Sequence, residues 1–169
     1  MIDAFAKLLA DGIGGIGDLH IVGDGPERAD LHQIASSLGV ADRVQFHGHH
    51  SSVEKLAPLY WRSVVSVSPG YVGLSLTQSL LFGVPMLIAD TERHAPEISL
   101  LVEGWNGATF RSGDSRALAN AVRALWVVRS EWSSRASEIA ASARAEYTVE
   151  GMADGFLAAA LAPASVTSN

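Results

Sequence analysis

The sequence predicts an α/β protein with a doubly wound, Rossmann-like parallel sheet, and three observations predict it. Apolar residues recur at helical spacing in three separated segments, short β-branched runs bounded by glycine, proline or polar residues lie between them, and helix and strand alternate throughout. Such alternation calls for parallel strands joined by right-handed crossovers, with helices on both faces of the sheet. A length of 169 residues suits one such domain. We expect it to occupy residues 1–162, with 163–169 as a flexible tail.

The first helix is read from Ile2, Phe5, Ala6 and Leu9, which fall at i, i+3, i+4 and i+7. Leu19 to Gly23 follows as a strand, short, apolar and closed by glycine. Helical spacing returns at Leu31, Ile34, Ala35 and Leu38, and Arg43 to Gly48 forms the next strand. Val64 to Ser68 is a third strand, ended by Pro69-Gly70. The helix after Gly73 is closed by Gly83-Val84-Pro85, because glycine ends helices and proline cannot continue them. Pro85 to Ala89 and Gly107 to Phe110 complete the strands. Leu118, Ala121, Val122 and Leu125 mark another helix, and the chain from Trp126 to about Leu161 reads as helical with a break at Tyr147-Thr148.

Composition excludes several classes. Hydrophobic residues at 48% against 18% charged are too many for a mainly disordered chain. Twelve Lys and Arg against eighteen Asp and Glu give a net charge of −6, so no basic surface is offered to nucleic acid or an anionic membrane. With no cysteine there is no disulfide framework, thiolate nucleophile or cysteine-held metal. The longest apolar stretches, such as Ser75 to Asp90 with its Gln78 and Pro85, fall short of the ~18 to 20 residues of a transmembrane span. Met1 to Asp11 lacks the basic flank of a signal peptide, which makes a cytoplasmic location the expectation.

Ligands of open α/β sheets sit beyond the carboxyl ends of the strands, where loops and helix N-termini present backbone N–H groups. Three loops have suitable composition. In Gly23-Asp24-Gly25-Pro26, glycine permits close approach of a ligand, although taken alone the loop reads first as a plain tight turn, and the missing third glycine argues against a nicotinamide cofactor. Gly48-His49-His50-Ser51-Ser52 holds adjacent histidines that rarely converge on one metal ion, so the readings are a solvent-facing loop or contact with a ligand through His49. Ser68-Pro69-Gly70-Tyr71-Val72-Gly73-Leu74 leads into a helix and suits an anion at its N-terminus, with tight packing as the competing role of its glycines.

Leu19 to Pro26, Leu38 to Gly48, Leu56 to Tyr60, Ser68 to Pro85, His94-Ala95-Pro96-Glu97-Ile98 and Gly104-Trp105-Asn106-Gly107 resemble in order the C-terminal, donor-binding half of a family-4 glycosyltransferase of GT-B fold. The resemblance covers about Ile2 to Leu161. It implies that Tyr71, Val72, Gly73 and Leu74 offer N–H groups to the diphosphate of a nucleotide sugar, without a metal or other cofactor. Gly23, Gly25 and His49 are the expected donor contacts on the neighbouring loops.

Two departures accompany it. The family usually carries two glutamates eight positions apart in this segment, and those positions are Gly70 and Gln78. Gln78 retains an amide for the ribose, whereas Gly70 has no side chain, and Glu92 or His94 is expected to cover that gap. Members of the family also begin this domain with a central strand carrying Arg and Lys, and an acceptor-binding domain precedes it. Here the sequence opens at the following helix, so a fragment, a truncated product or one half of a bipartite transferase is expected, completed by an N-terminal domain or a partner chain. The resemblance thus implies a retaining hexosyltransferase half that is inactive alone and prone to self-association through its strand edges. A non-catalytic nucleotide-sugar-binding subunit and an epimerase-like domain are the alternatives.

Overall fold

The computed structural model describes residues 1–90 and 93–146. In chain order the elements are α1 (Ile2–Ala10), β1 (Leu19–Val22), α2 (Arg28–Ser37), β2 (Val44–Gly48), α3 (Val53–Trp61), β3 (Ser66–Ser68), α4 (Leu74–Leu81), β4 (Met86–Ala89), β5 (Gly107–Phe110), α5 (Ser115–Val127), α6 (Arg129–Ser134) and α7 (Ala136–Glu146). The alternation expected from the sequence is present, and every strand pair is parallel. No helix among the described residues is long and apolar enough to cross a membrane.

The sheet is divided. β1 pairs with β2, and β3, β4 and β5 form a second sheet in that order, with β4 at its centre and all four of its residues buried. β1 and β3 pair with no strand on their other sides among the described residues. Two hydrophobic clusters follow the division. One, around Leu76, Leu80, Leu87 and Ile88, fills the space about the second sheet, and a smaller one joins Ala35, Val40 and Val44 beside the first. α1 contributes to both: Ile2 and Phe5 enter the smaller cluster, Ala4 and Leu8 the larger.

Several sequence expectations are corrected by this arrangement. α1 buries Ala4 and Leu8 in addition to the stripe of Ile2 and Phe5, because a helix wedged between two cores needs a wider apolar face than one lying on a single sheet. In α2 only Ala35 is buried, and Ile34 and Leu38 stand about two-fifths exposed, since a two-stranded sheet is too narrow to cover them. β3 begins at Ser66 rather than Val64, and β4 at Met86 rather than Pro85. The Ser66 N–H bonds to the Pro85 carbonyl, but Pro85 has no N–H with which to extend the ladder. Among the described residues the helical stretch from Trp126 is the end of α5 followed by α6 and α7, interrupted at Val128 and Arg135. The expected break at Tyr147-Thr148, the domain limit at 162 and the tail lie outside the described residues.

Two glycines are fixed by contact. A Cβ on Gly107 would lie 2.2 Å from the Met86 carbonyl oxygen across the β4–β5 ladder, and one on Gly83 would lie 2.3 Å from the Ala136 carbonyl oxygen. Gly83 also has φ +74°, the left-handed conformation that lets the chain reverse between α4 and β4.

Gly83→Ala is therefore expected to destabilise the protein by more than the ~1 to 2 kcal/mol that left-handed geometry alone costs a residue with a Cβ. Gly113→Ala, at φ +73° with nothing near the added carbon, isolates that conformational cost. Urea denaturation of both variants measures the difference, and equal midpoints would mean that the Ala136 contact contributes nothing.

Candidate functional site

α4 is the element around which the site is built. Its orientation is set by Ser79, fully buried, whose hydroxyl donates to the Val84 carbonyl at 2.8 Å and shares a hydrogen bond with the Ser66 hydroxyl on β3. The helix is thereby held against β3, with its first turn emerging beyond the carboxyl end of that strand. Ser68, the last residue of β3, donates its hydroxyl to the carbonyls of Gly70 and Tyr71, both at 3.2 Å, and so bends the chain toward the helix start.

Val72 anchors the loop. Its side chain is fully buried, its carbonyl accepts from the Ala95 N–H at 3.0 Å, and its own N–H donates to His94 Nδ1 at 3.2 Å. An imidazole that accepts at Nδ1 carries its proton on Nε2, and that nitrogen donates to the Ala89 carbonyl at 2.9 Å. Two expectations change here. The Val72 N–H is committed to His94 rather than open to an anion, and His94 uses both ring nitrogens to tie the loop to the end of β4 rather than to reach a sugar. The N–H groups of Tyr71, Gly73 and Leu74 have no partner among the described residues and project at the start of α4, where the helix dipole is positive.

Beside this helix start lies a cavity of about 780 Å³ that runs along β1 and β3. Arg43 and Arg62 line it at the amino ends of the strands, and Gly23, His49, Ser75 and Gln78 at the carboxyl ends. The structure thus brings Gly23, His49 and Gln78 together on one wall, with Tyr71, Gly73 and Leu74 at the adjoining helix start. Gly23 adopts φ +135° and donates its N–H to the Gly48 carbonyl at 2.8 Å, closing the two loops on one another. Gly25 is exposed, its N–H held by the Asp24 carboxylate at 2.9 Å, and does not line the cavity. Gly70 is half-buried and contributes its carbonyl to Ser68, and Glu92 lies outside the described residues.

Sequence reasoning missed Ser75, which shares the cavity-facing side of α4 with Gln78; their i, i+3 spacing within a leucine-rich helix was the available signal. It also missed His20 and His47. Across the β1–β2 pair, His20 Nδ1 and His47 Nε2 are 2.8 Å apart and the rings stack with centroids 5.1 Å apart. Burial, then the neighbouring His20 and His50, lower the His47 pKa. Among the described residues no three His, Cys, Asp or Glu side chains are grouped to hold a metal ion. Arg43, the cation nearest in sequence to β2, is engaged by the Asp18 carboxylate at 2.6 Å and by the Ile16 and Gly17 carbonyls.

With this geometry in hand, the chain matches the family model described as glycosyl transferases group 1 over residues 1–127. It is 31% identical over 104 residues to the lipopolysaccharide core biosynthesis glycosyltransferase LpsE of Rhizobium meliloti, covering 62% of this chain and 30% of that protein. It is 30% identical over 132 residues to the D-rhamnosyltransferase WbpZ of Pseudomonas aeruginosa, covering 75% of this chain and 32% of that one. Among solved structures, Anabaena HepE in complex with UDP superposes with a TM-score of 0.72 at 23% identity, covering 95% of this chain and 44% of HepE. The chain therefore spans about a third of the length of the curated relatives it matches.

His47 carries a pH dependence. A histidine whose folded pKa lies below its unfolded value binds fewer protons when folded, so its contribution to stability is full above the ordinary 6.5 and is lost as pH falls through the depressed folded value. The thermal midpoint is expected to fall from pH 7.5 to pH 5.5, and His47→Gln is expected to flatten that slope. An unchanged slope in the variant would place the pH dependence elsewhere.

Proposed function

The chain belongs to the group 1 glycosyl transferases, and from that membership we propose that it is the donor-binding half of a retaining glycosyltransferase, one that moves a hexose from a nucleoside diphosphate sugar to an acceptor glycan or lipid. The observation that carries this reading is the set of partnerless N–H groups of Tyr71, Gly73 and Leu74 at the start of α4, beside a cavity lined by Gln78. Such groups, with the helix dipole behind them, favour a nearby anion by typically 0.3 to 1 kcal/mol, rising to about 2 where the site is partly buried. A diphosphate gains negative charge as the sugar–oxygen bond breaks, so donors fixed beforehand stabilise the leaving group more than the ground state. Gln78, with Ser75 one turn before it, supplies the hydrogen bonds for a ribose, and His49 and Gly23 bound the same wall. The UDP in the HepE complex and the sugar-transfer names of LpsE and WbpZ support the choice of ligand class.

Gly70 supports a second reading, a module that binds the nucleotide sugar without catalysing transfer. A glycine offers no carboxylate to the donor sugar, and with both His94 ring nitrogens engaged by the backbone, that residue does not replace it. Transfer also requires donor and acceptor to be held in one enclosed cleft, an arrangement that can lower a barrier by about 7 to 11 kcal/mol. In this proposal the acceptor wall belongs to a second domain or partner chain.

Calorimetry of residues 1–169 with UDP or GDP, without divalent metal, is expected to show weak binding that strengthens at low salt, as charge-assisted contacts do. Gln78→Ala is expected to weaken it several-fold, from the loss of one or two hydrogen bonds of about 0.5 to 1.5 kcal/mol each, and Gln78→Glu to preserve it. Strict dependence on added metal, or an unchanged affinity in the alanine variant, would defeat this assignment of roles. Assayed with nucleotide sugars and simple acceptors, the same chain is expected to show no turnover above background. Turnover by the monomer would mean that one domain supplies both walls.

A further inference from the structure

Five of the six histidines fall between residues 20 and 50, on β1, α2, β2 and the loop that follows. His20, His49 and His50 line the cavity, and His47, which is not on the wall, is joined to His20 at 2.8 Å. His20 stands opposite Gln45 in the β1–β2 register, so its bond to His47, two residues further along β2, draws its ring toward the carboxyl end of the strands. The arginines of the cavity lie at the other end, with Arg43 held by Asp18. Where Tyr71, Gly73 and Leu74 present their N–H groups, the ionisable side chains on the wall among the described residues are therefore imidazoles alone.

Hydrogen-bond chemistry limits what the pair can hold. The contact joins Nδ1 of His20 to Nε2 of His47, so one of these nitrogens carries a hydrogen and the other offers a lone pair. With both rings neutral the outer nitrogens then differ, one of His20 Nε2 and His47 Nδ1 bearing a hydrogen and the other bare. A proton added to the bare nitrogen gives a cation with the inner bond intact and strengthened by the charge. A second proton would set two N–H groups against one another and break that bond. The pair is thus a one-proton device, neutral or singly positive in the range where histidine titrates. Burial, then the neighbouring His20 and His50, hold His47 toward its neutral form. The β1–α2 loop offers Asp24, whose carboxylate accepts from the Gly25 N–H and lies 3.9 Å from Arg28 of α2. α3 brings Tyr60, its phenol pKa raised by burial, and Arg62 follows it, while α1 brings the Met1 amino group, lowered chiefly by burial. β3, α4 and α5 place no ionisable side chain on the wall.

We propose that the His20–His47 pair is the ionisable anion contact of the donor site: when a phosphate-bearing ligand occupies the carboxyl end of the cavity, the pair takes one proton from solvent on its bare outer nitrogen and becomes the cation that faces it. This rests on the donor-binding reading for the identity of the ligand and adds a coupling of binding to protons. A ligand that favours the protonated pair raises its proton occupancy, and by linkage the affinity rises as pH falls through the range of the pair. The effect is several-fold rather than larger, because His20 is exposed and water and salt screen its charge. His49 and His50 form no hydrogen bond among the described residues that would fix their rings toward the ligand, which sets the pair apart from them.

UDP-glucose is the probe, because its diphosphate is a diester with no proton to lose between pH 6 and pH 8. Calorimetry of the full chain is expected to show binding tighter by about threefold or more at pH 6 than at pH 8, with an enthalpy that varies with the buffer as protons are taken up. His20→Gln and His47→Gln are each expected to remove most of that difference, and the double substitution His49→Gln, His50→Gln to retain it. A pH dependence that survived both single variants would belong to the Met1 amine or the loop histidines and would overturn the inference. Equal affinity at the two pH values would overturn it too, while leaving the donor reading intact. Sulfate, a dianion throughout this range, tests the pair in the unaltered chain without a nucleotide. At constant ionic strength it is expected to move the NMR titration of His20 and His47 to higher pH and to leave His32 and His94 in place, and an unmoved pair would overturn the inference. Should UDP-glucose bind at neither pH, the donor reading fails for that nucleotide sugar and the sulfate titration decides the inference by itself.

Discussion

The structure hangs on α1. Among the described residues it alone buries side chains in both hydrophobic clusters, so the two sheets form one body because a single nine-residue helix presents Ile2 and Phe5 to one core and Ala4 and Leu8 to the other. The outer surface adds little to this bond. Lys7 pairs with Asp3, and Asp11 receives both Arg116 and Arg123, but half-exposed ion pairs of this kind are typically worth under about 1 kcal/mol each. Burial of the apolar wedge is the larger contribution, at roughly 25 cal/mol for each Å² withdrawn from water.

The site depends in turn on how α4 is seated against the larger core. Leu76 and Leu80 fix its inner face, and the Ser79 hydroxyl fixes its rotation, since a buried hydroxyl without partners costs about 1 to 3 kcal/mol. With that face held, Ser75 and Gln78 fall on the cavity side and the loop at Tyr71 to Gly73 arrives at the helix start. His94 completes the arrangement from outside the helix, joining the end of β4 to Val72. Position, rather than charge, is what this chain builds: Arg43 is already bound to Asp18 and to backbone carbonyls.

Much of this was legible in the sequence, for reasons that differ by element. The helical spacing in α1 and α5 and the short apolar runs of β1 and β4 are local patterns that tertiary structure kept. Gly83-Val84-Pro85 was readable as a helix stop because left-handed geometry and the missing proline N–H act within a few residues. What could not be read was set by contacts distant in sequence. His94 looked like a ligand group because nothing local reveals that Val72 and Ala89 would occupy its two nitrogens. Leu38 fits the apolar spacing of α2, yet the narrowness of the sheet beneath leaves it half outside. His20 and His47 meet only through the pairing of β1 with β2, which sets His20 opposite Gln45 and so one diagonal step from His47, and one sequence cannot announce that register.

The division of the sheet has a kinetic side. Among the described residues each strand pairs only with strands adjacent to it in the chain, β1 with β2 and β3 with β4 with β5, so none of these pairings has to wait for a distant segment. Topologies rich in local contacts fold faster because little loop entropy is lost before contacts form. On a ribosome, the β1–α2–β2 unit is complete in sequence by Gly48, and its pairing can form while the second sheet is still being synthesised. The docking of α1 against α5 has to wait for residues 115–127, and that of α4 against α7 waits longer still.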